Sequence, residues 1–174
     1  YQDLVAAKPE GIEVADLKVA LGIHTRSFRY LNAVSQGKAR HDLQGQVVEA
    51  MAPEHVHHAL LEVFRRRKPR DGEDMAQKLR RRIAMAFDAS GLTREEYAER
   101  MHSRDEAANA VLAEALTELA ALQAREEALL RAYEASGKTV AEFADMYGMD
   151  PRTAERSVHN ARQRAPAPAP DAAA

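Results

Sequence analysis

Between Thr25 and Arg40 the chain sets cations and aromatics close together, as Thr25-Arg26-Ser27-Phe28-Arg29-Tyr30-Leu31 and then Gly37-Lys38-Ala39-Arg40. Arginine and lysine neutralise phosphates, and a tyrosine stacks on an unpaired base or hydrogen-bonds a phosphate through its hydroxyl, so the mixture suits RNA. The competing reading makes Phe28 and Leu31 core and leaves the cations as a solvated face. A helical spacing of two residues from Phe28 would turn Tyr30 away from that core, toward the side that Arg40 approaches. Farther on, His55 and His58 stand at i and i+3 on one helix face, with His57 beside them and Glu54 before them. A metal site needs three or four converging ligands, so no metal is expected. The chain shows no Gly-rich phosphate loop, no nucleophile with an oriented base and no acid pair that shares a pocket. Catalytic residues and cofactors are therefore not expected, and the chain reads as a binding protein rather than an enzyme.

These residues must be carried by short elements. Ile12, Leu17, Leu21, Phe28 and Leu31 recur at helical spacings, predicting two short amphipathic helices joined near Gly22. The segments Arg40-His41-Asp42-Leu43 and Gln46-Val47-Val48 flank Gln44-Gly45, which predicts a small hairpin with glycine at positive φ. Pro53-Glu54 opens a helix with Val56, Leu60, Leu61 and Phe64 on one side and the basic run Arg65-Arg66-Arg67-Lys68 in its last turn, where cations suit the helix dipole. That run meets Pro69-Arg70-Asp71-Gly72, a breaker cluster that predicts a junction, with a linker at 69–77.

Beyond the junction the pattern is helical. Residues 105–135 contain no Pro or Gly, and Leu112, Leu116, Leu119, Leu122, Leu129 and Tyr133 trace a stripe interrupted by Glu126. The stretch predicts one helix roughly 45 Å long that packs on a partner helix, in the same chain or in a second copy. An internal repeat accompanies it: Ala86-Phe87-Asp88-Ala89-Ser90-Gly91-Leu92-Thr93 with Glu96-Tyr97-Ala98 returns as Ala132-Tyr133-Glu134-Ala135-Ser136-Gly137-Lys138-Thr139 with Glu142-Phe143-Ala144. Each copy ends a helix at Gly and caps the next with Thr. Residues 139–156 resemble a helix-turn-helix, with Ala144 at the helix crossing, Gly148 in the turn, Asp150 as cap and Pro151 at the first helical position. On that reading Arg152, Arg156, Arg162 and Arg164 face nucleic acid. The alternative is a helical hairpin used only for packing. The clusters Arg65–Arg70 and Lys78-Leu79-Arg80-Arg81-Arg82 either extend a phosphate path or form a solvated junction. The end of the chain, 165–174, is an Ala/Pro tail expected to be disordered.

Across 174 residues, 45% are hydrophobic and 30% charged, without Trp or Cys. Cores must then be built mainly from Leu, Val, Ile, Met and Ala, a composition that favours helices over a β-sandwich. Disulfides, thiolate nucleophiles and cysteine-ligated zinc are excluded. No apolar run reaches the roughly 18 residues of a membrane span, and the start lacks a basic, then apolar, leader, so no membrane partner and a cytoplasmic location are expected. The net charge of −2 conceals an asymmetry. Residues 1–70 hold 11 Lys+Arg against 8 Asp+Glu and residues 71–174 hold 14 against 19, giving +3 and −5. The net-positive half is the one with the aromatic and cationic segment.

The stretch from His24 to Gly45 resembles the central signature of the ProQ/FinO family of bacterial RNA-binding proteins. In that signature T-x-S-[WF]-R-Y-L leads through V-x-x-G-x-x-R to a D-L-D-G hairpin. Thr25, Ser27, Phe28, Arg29, Tyr30, Leu31, Val34, Gly37, Arg40, Asp42, Leu43 and Gly45 fall in register, with Gln44 replacing the usual Asp. Glu54-His55-Val56-His57-His58-Ala59 is similar to the family's E-x-H-V-x-H-A helix, and the resemblance covers about residues 1–68. It implies a compact, mainly α domain with a small β-hairpin, followed here by a helical extension (78–164) with a long helix and a helix-turn-helix-like end.

The resemblance also implies a ligand. That ligand is structured RNA, a hairpin stem with its single-stranded 3′ end, as in small regulatory RNAs and mRNA 3′ ends, and the role is that of an RNA chaperone or post-transcriptional regulator. Tyr30 and Arg40 are the principal contacts it implies, with Lys18 at a basic position and Arg29 weaker; Lys38 and Arg26 join them from the cationic segment. The family's opening helix and basic segment would lie before Tyr1. Val14 and Gly22 stand where some members carry Lys and Arg, and His24 where many carry Tyr. The rival functions are a DNA-binding regulator acting through the helix-turn-helix-like end, and a helical protein that dimerises through its long helix.

Overall fold

A computed structural model of the chain describes residues 1–8 and 10–164; the tail expected at 165–174 lies outside the described residues. The described residues form a mainly α structure with one two-stranded antiparallel sheet. In chain order the elements are α1 Gln2–Ala6, α2 Val14–Thr25, α3 Phe28–Val34, β1 Arg40–His41, β2 Val47–Glu49, α4 Pro53–Arg66, α5 Met75–Ser90, α6 Arg94–Met101, α7 Glu106–Ser136, α8 Val140–Met146 and α9 Pro151–Arg164. The described residues fall into two compact units that divide within α7, between Leu116 and Thr117.

In the first unit the helix break expected near Gly22 falls four residues later. Gly22 sits inside α2, whose apolar Val19 and Ile23 remain exposed, and the chain turns at Arg26-Ser27. Ser27 ends one helix and starts the next because its hydroxyl accepts from Tyr30 N (3.2 Å), an N-cap that a glycine in mid-helix does not supply. The hairpin forms where expected: Asp42 Oδ1 accepts from the amides of Gln44 (3.0 Å) and Gln46 (2.8 Å), and Gly45 takes φ +82.

Helix α4 is the hub of this unit because its apolar stripe covers more than one direction. Ala59 and Val63 pack with Leu31 and Val34 of α3, while Leu60 packs with Ile83, Tyr97, Met101, Leu112 and Leu116 of α5, α6 and α7. Burying a helix on two sides also buries His57, which an amphipathic reading leaves at the edge. Residues 69–77, expected as a linker, lie within the first unit. There Glu73 gathers Arg67 (2.8 Å), Lys78 (2.6 Å) and the amide of Arg70 (2.9 Å) around one carboxylate.

Helix α7 spans 31 residues, as its lack of Pro and Gly requires. Its buried line differs from the expected stripe: Leu112, Ala115, Leu116, Glu126 and Leu130 face inward, whereas Leu122 is exposed. In the second unit Glu126 is buried because it has partners: Oε1 accepts from Asn160 Nδ2 (3.0 Å) and Oε2 from Arg164. Fully buried Ala144 and Ala154 let α8 and α9 cross closely. Met149 N donates to Ala144 O (2.8 Å) across the Gly148 turn, and Asp150 Oδ1 caps α9 through Thr153 N (2.9 Å).

The sequence repeat is a repeat of structure, and it extends farther than the quoted residues. Phe87 packs edge-on to Tyr97 at 5.3 Å, and 46 positions later Tyr133 packs edge-on to Phe143 at 5.5 Å. Gly91 and Gly137 both adopt left-handed φ (+67 and +62), and Thr93 with Glu96 and Thr139 with Glu142 both close capping boxes. The same offset maps buried Leu112 and Ala115 onto Val158 and Ala161. It also maps the pair Arg80–Glu114 (3.4 Å) onto Glu126–Asn160 (3.0 Å). Helix α7 is therefore the third helix of the first repeat and the first helix of the second.

Candidate nucleic-acid interface

Helix α3 positions the central aromatic. On a 100° wheel Tyr30, Leu31 and Val34 share one side, and Phe28 lies about a quarter-turn from the direction midway between Leu31 and Val34, with Tyr30 nearer to it. Leu31 and Val34 are buried, Tyr30 is half-buried against them, and Phe28 is 51% exposed. This reverses the expected assignment of Phe28 to the core and Tyr30 to the solvent side: the core direction is set by Leu31 and Val34, and Tyr30 lies nearer to it. The Tyr30 ring also meets His24 edge-on at 5.2 Å.

Tyr30 opens onto a cavity of about 380 Å³ between α2, α3, the hairpin and α4. Arg26 comes to its wall from the end of α2, Arg40 from the first hairpin strand, and His55, His58 and Arg66 from α4. Each cation is held in place. Arg26 Nε donates to Gly22 O (2.8 Å), and Arg66 donates to Arg26 O (2.6 Å) and Glu62 Oε2 (2.7 Å). Arg40 Nη1 donates to Glu49 Oε1 (2.7 Å), its partner in the strand register, while Nη2 lies 3.3 Å from His55 Nδ1. The hairpin thus aims one guanidinium at the cavity beside the Tyr30 ring.

Glu62 is the acid on this wall. Burial pushes its carboxyl up, but hydrogen bonding to Arg66 and the charges of Arg65, Arg66 and His58 outweigh that, so its pKa lies below the usual carboxylate range. It remains ionised and already neutralised by arginines. The cavity combines an amphipathic ring, three guanidinium groups and imidazoles, which is chemistry for a phosphate flanked by a ribose or base.

Of the candidate residues, the fold brings Tyr30, Arg40 and Arg26 to this cavity. Lys18 on α2, Arg29 on α3 and Lys38 after the α3 turn are exposed and do not line it. Sequence reasoning missed Arg66 as a wall residue and weighed His55 and His58 only as metal ligands. The i, i+3 spacing of His55 and His58 and the i+4 step from His58 to Glu62 already placed them on one face. His57 points elsewhere, with Nδ1 3.4 Å from Tyr97 Oη.

Much of the basic run is paired within the chain. Arg65 reaches Glu62 (2.6 Å) and Asp105 (2.7 Å), and Arg67 and Lys78 share Glu73. At the helix-turn-helix-like end, Arg152 and Arg156 are exposed on α9. Arg162 instead lies over the Tyr133 ring (5.6 Å) and 3.7 Å from Glu134, and Arg164 pairs with Glu126, so both are engaged by α7. Among the described residues no helix is long and apolar enough to cross a membrane.

A ProQ/FINO family model matches residues 1–76. Two relatives, each named RNA chaperone ProQ, from Aeromonas salmonicida (strain A449) and Aeromonas hydrophila subsp. hydrophila, are 34% identical over 99 residues, covering 52% of this chain and 47% of theirs. A third of the same name, from Shewanella frigidimarina, is 33% identical over 86 residues, covering 48% of this chain and 39% of its own. The chain spans about half the length, or less, of these curated relatives. No solved structure matches it.

Proposed function

We propose that the chain, whose residues 1–76 match a ProQ/FINO family model, binds structured RNA and acts as an RNA chaperone or post-transcriptional regulator in the cytoplasm. The observation that carries this reading is the convergence of Tyr30, Arg40 and Arg26 on one cavity. The ligand would be a hairpin stem with its single-stranded 3′ end, as small regulatory RNAs and mRNA 3′ ends present. A terminal nucleotide offers a base face to Tyr30 and a phosphate to Arg40, and a stem gives a regular row of phosphates to the exposed Lys18, Arg29 and Lys38. The relatives named RNA chaperone ProQ agree with this role. We read the protein as a binding protein and not an enzyme. Self-association through the long helix α7 is a further part of the proposal, independent of RNA.

The DNA-binding alternative would rest on Arg152 and Arg156, since Arg162 and Arg164 are turned to acids. Competition in gel shifts between an RNA hairpin with a 3′ single-stranded tail and duplex DNA of equal length tests the proposal. The hairpin is expected to win, and Arg40→Ala to flatten the salt dependence of its binding by about 0.7–0.9 in log–log slope, one phosphate's worth. Equal competition by duplex DNA, with Arg40→Ala silent, overturns it.

A further inference from the structure

Met51 is a wall shared by two cavities of the first unit. On one side lies the cavity of Tyr30 and Arg40. On the other, a cavity of about 460 Å³ is enclosed by the turn after α3, the segment after β2, the start of α4 and one face of α5. The two also divide consecutive residues at the end of α3, since Val34 lines the first and Ser35 the second. The second cavity falls within the about 300–1,000 Å³ of pockets that hold small molecules. Its α5 wall, which includes Arg82 and Met85, lies beyond the residues 1–76 that the family model matches.

The lining combines two kinds of group. Met51, Val56 and Met85 are apolar, and thioethers make favourable contacts with aromatic rings. Against them stand a guanidinium and an amide. Among the described residues the wall holds one charge, Arg82, and no carboxylate. Arg82 is half-buried, and its Nη2 donates to a neutral partner, Ser35 O (3.3 Å). The acids next to lining residues in the sequence do not offset it: Glu49 is held by Arg40 (2.7 Å), Glu54 by Arg100 (3.7 Å), and Asp88 is not on the wall. The Gln36 side chain has no hydrogen-bond partner among the described residues, which leaves both a donor and an acceptor for a ligand.

An uncompensated cation, two thioethers and a free amide suit an anion joined to a planar heteroaromatic ring, which is the chemistry of a nucleotide. The thioethers take the ring face, the amide takes its edge and the guanidinium takes the phosphate. One guanidinium matches the single charge of a phosphodiester, whereas a free phosphomonoester carries about −1.5 to −2. A strand that leaves the Tyr30 cavity past Met51 meets this one next, and exposed Lys38 follows directly on lining Gly37.

We propose that the cavity of Arg82, Gln36 and Met85 holds a second nucleotide of the RNA single strand, beside the one at Tyr30. The inference rests on the RNA-binding reading and extends its site onto α5.

Anisotropy titrations of the full chain with RNA hairpins whose 3′ tails grow one nucleotide at a time test it. Affinity is expected to rise at least about fivefold at the tail length that reaches the cavity, and to level off beyond it. Met85 is 61% exposed and Gln36 is exposed, so Met85→Glu and Gln36→Ala should leave Tm and the affinity for the shortest tail unchanged. Met85→Glu should abolish the gain and Gln36→Ala should reduce it. Arg82→Gln should flatten the salt slope for the long tail alone, by about 0.7. A longer tail that adds nothing, or a gain that Met85→Glu retains in full, overturns the second cavity while RNA binding stands. Adenosine monophosphate that occupies the cavity with no dependence of RNA affinity on tail length overturns the strand as its occupant. A wild type that binds no RNA hairpin overturns the RNA-binding reading together with it.

Discussion

His57 and Tyr97 meet inside the first unit, with Nδ1 3.4 Å from the phenolic oxygen and the rings edge-on at 5.9 Å. The contact ties α4 to α6 at the two-sided hub, and it holds an ionisable ring out of water. Burial, aided by the charge of nearby His58, lowers the His57 pKa from 6.5 to about 4, and burial likewise pushes the Tyr97 hydroxyl up.

A pH dependence of stability follows from that shift. The unfolded chain protonates His57 near pH 6.5 and the folded chain only near pH 4, so between these values the unfolded state binds more protons and stability falls as pH falls. The loss approaches about 3 kcal/mol by pH 4. The shifted carboxyls Glu62, Glu73, Glu96 and Glu142 have lowered folded pKa values, so their stabilisation is lost only below the ordinary carboxylate range. Urea titrations at pH 7 and pH 5 should show a drop that His57→Gln largely removes. An equal drop in the variant would place the effect on other groups.

Tyr30 has two jobs that separate by substitution. Its body packs against Leu31 and Val34 and its ring faces the cavity. Tyr30→Ala is expected to cost about 1–3 kcal/mol in RNA binding and also to lower the melting temperature, because it removes partly buried ring area. Tyr30→Phe keeps the ring and should retain both stacking and stability, losing only what the hydroxyl contributes. Filter binding with thermal melts of both variants checks this; wild-type RNA affinity in Tyr30→Ala would remove Tyr30 from the site.

Glu126 stabilises the second unit through a buried ionic link. With Asn160 and Arg164 on its two oxygens, Glu126→Ala should destabilise by about 1–3 kcal/mol, since it strands a half-buried guanidinium and an amide. Arg164→Ala should cost less, because Glu126 keeps Asn160 and Arg164 is a third exposed. A double-mutant cycle measured by denaturation should give a favourable coupling. Additive costs would mean that the two residues do not interact.

Features with a local cause were legible in the residues. Asp42-Leu43-Gln44-Gly45 carries its own turn chemistry, Thr93 and Thr139 each stand three residues before a glutamate, and residues 105–135 lack any breaker, so hairpin, caps and long helix were all readable. Features decided by tertiary direction were not. Phe28 and Tyr30 are both aromatic and two residues apart, and only the placement of α4 over Leu31 and Val34 determines which turns inward. Gly22 resembled a helix end, yet the turn went to Ser27, which alone offers a cap. Leu122 and Glu126 exchanged places because a buried carboxylate with two donors competes with a leucine for the inward register. The candidate cavity was half legible: Tyr30, Arg40 and Arg26 stood out by type, whereas Arg66, which also lines it, lay in a basic run that showed no individual direction.

That basic run yields a prediction whose sign is opposite to intuition. Glu73 is a 4% exposed carboxylate that accepts from Lys78, from the amide of Arg70 and from Arg67. The Lys78 hydrogen bond first, then the Arg70 amide, holds its pKa down at about 2, so it stays ionised at any ordinary pH. While it does, two cations are occupied within the chain. Glu73→Gln keeps the shape and one amide contact but releases Arg67 and Lys78 to solvent. If the junction lies on the path of the RNA stem, the variant should bind a structured RNA more tightly at low salt, and its log–log salt slope should steepen by up to about 0.7–0.9 for each released cation. The gain should vanish near 1 M salt, where the screening length falls to about 3 Å. Titrations across a salt series distinguish this from the solvated-junction alternative, in which Glu73→Gln leaves both affinity and slope at their wild-type values and the path of the stem ends at α4.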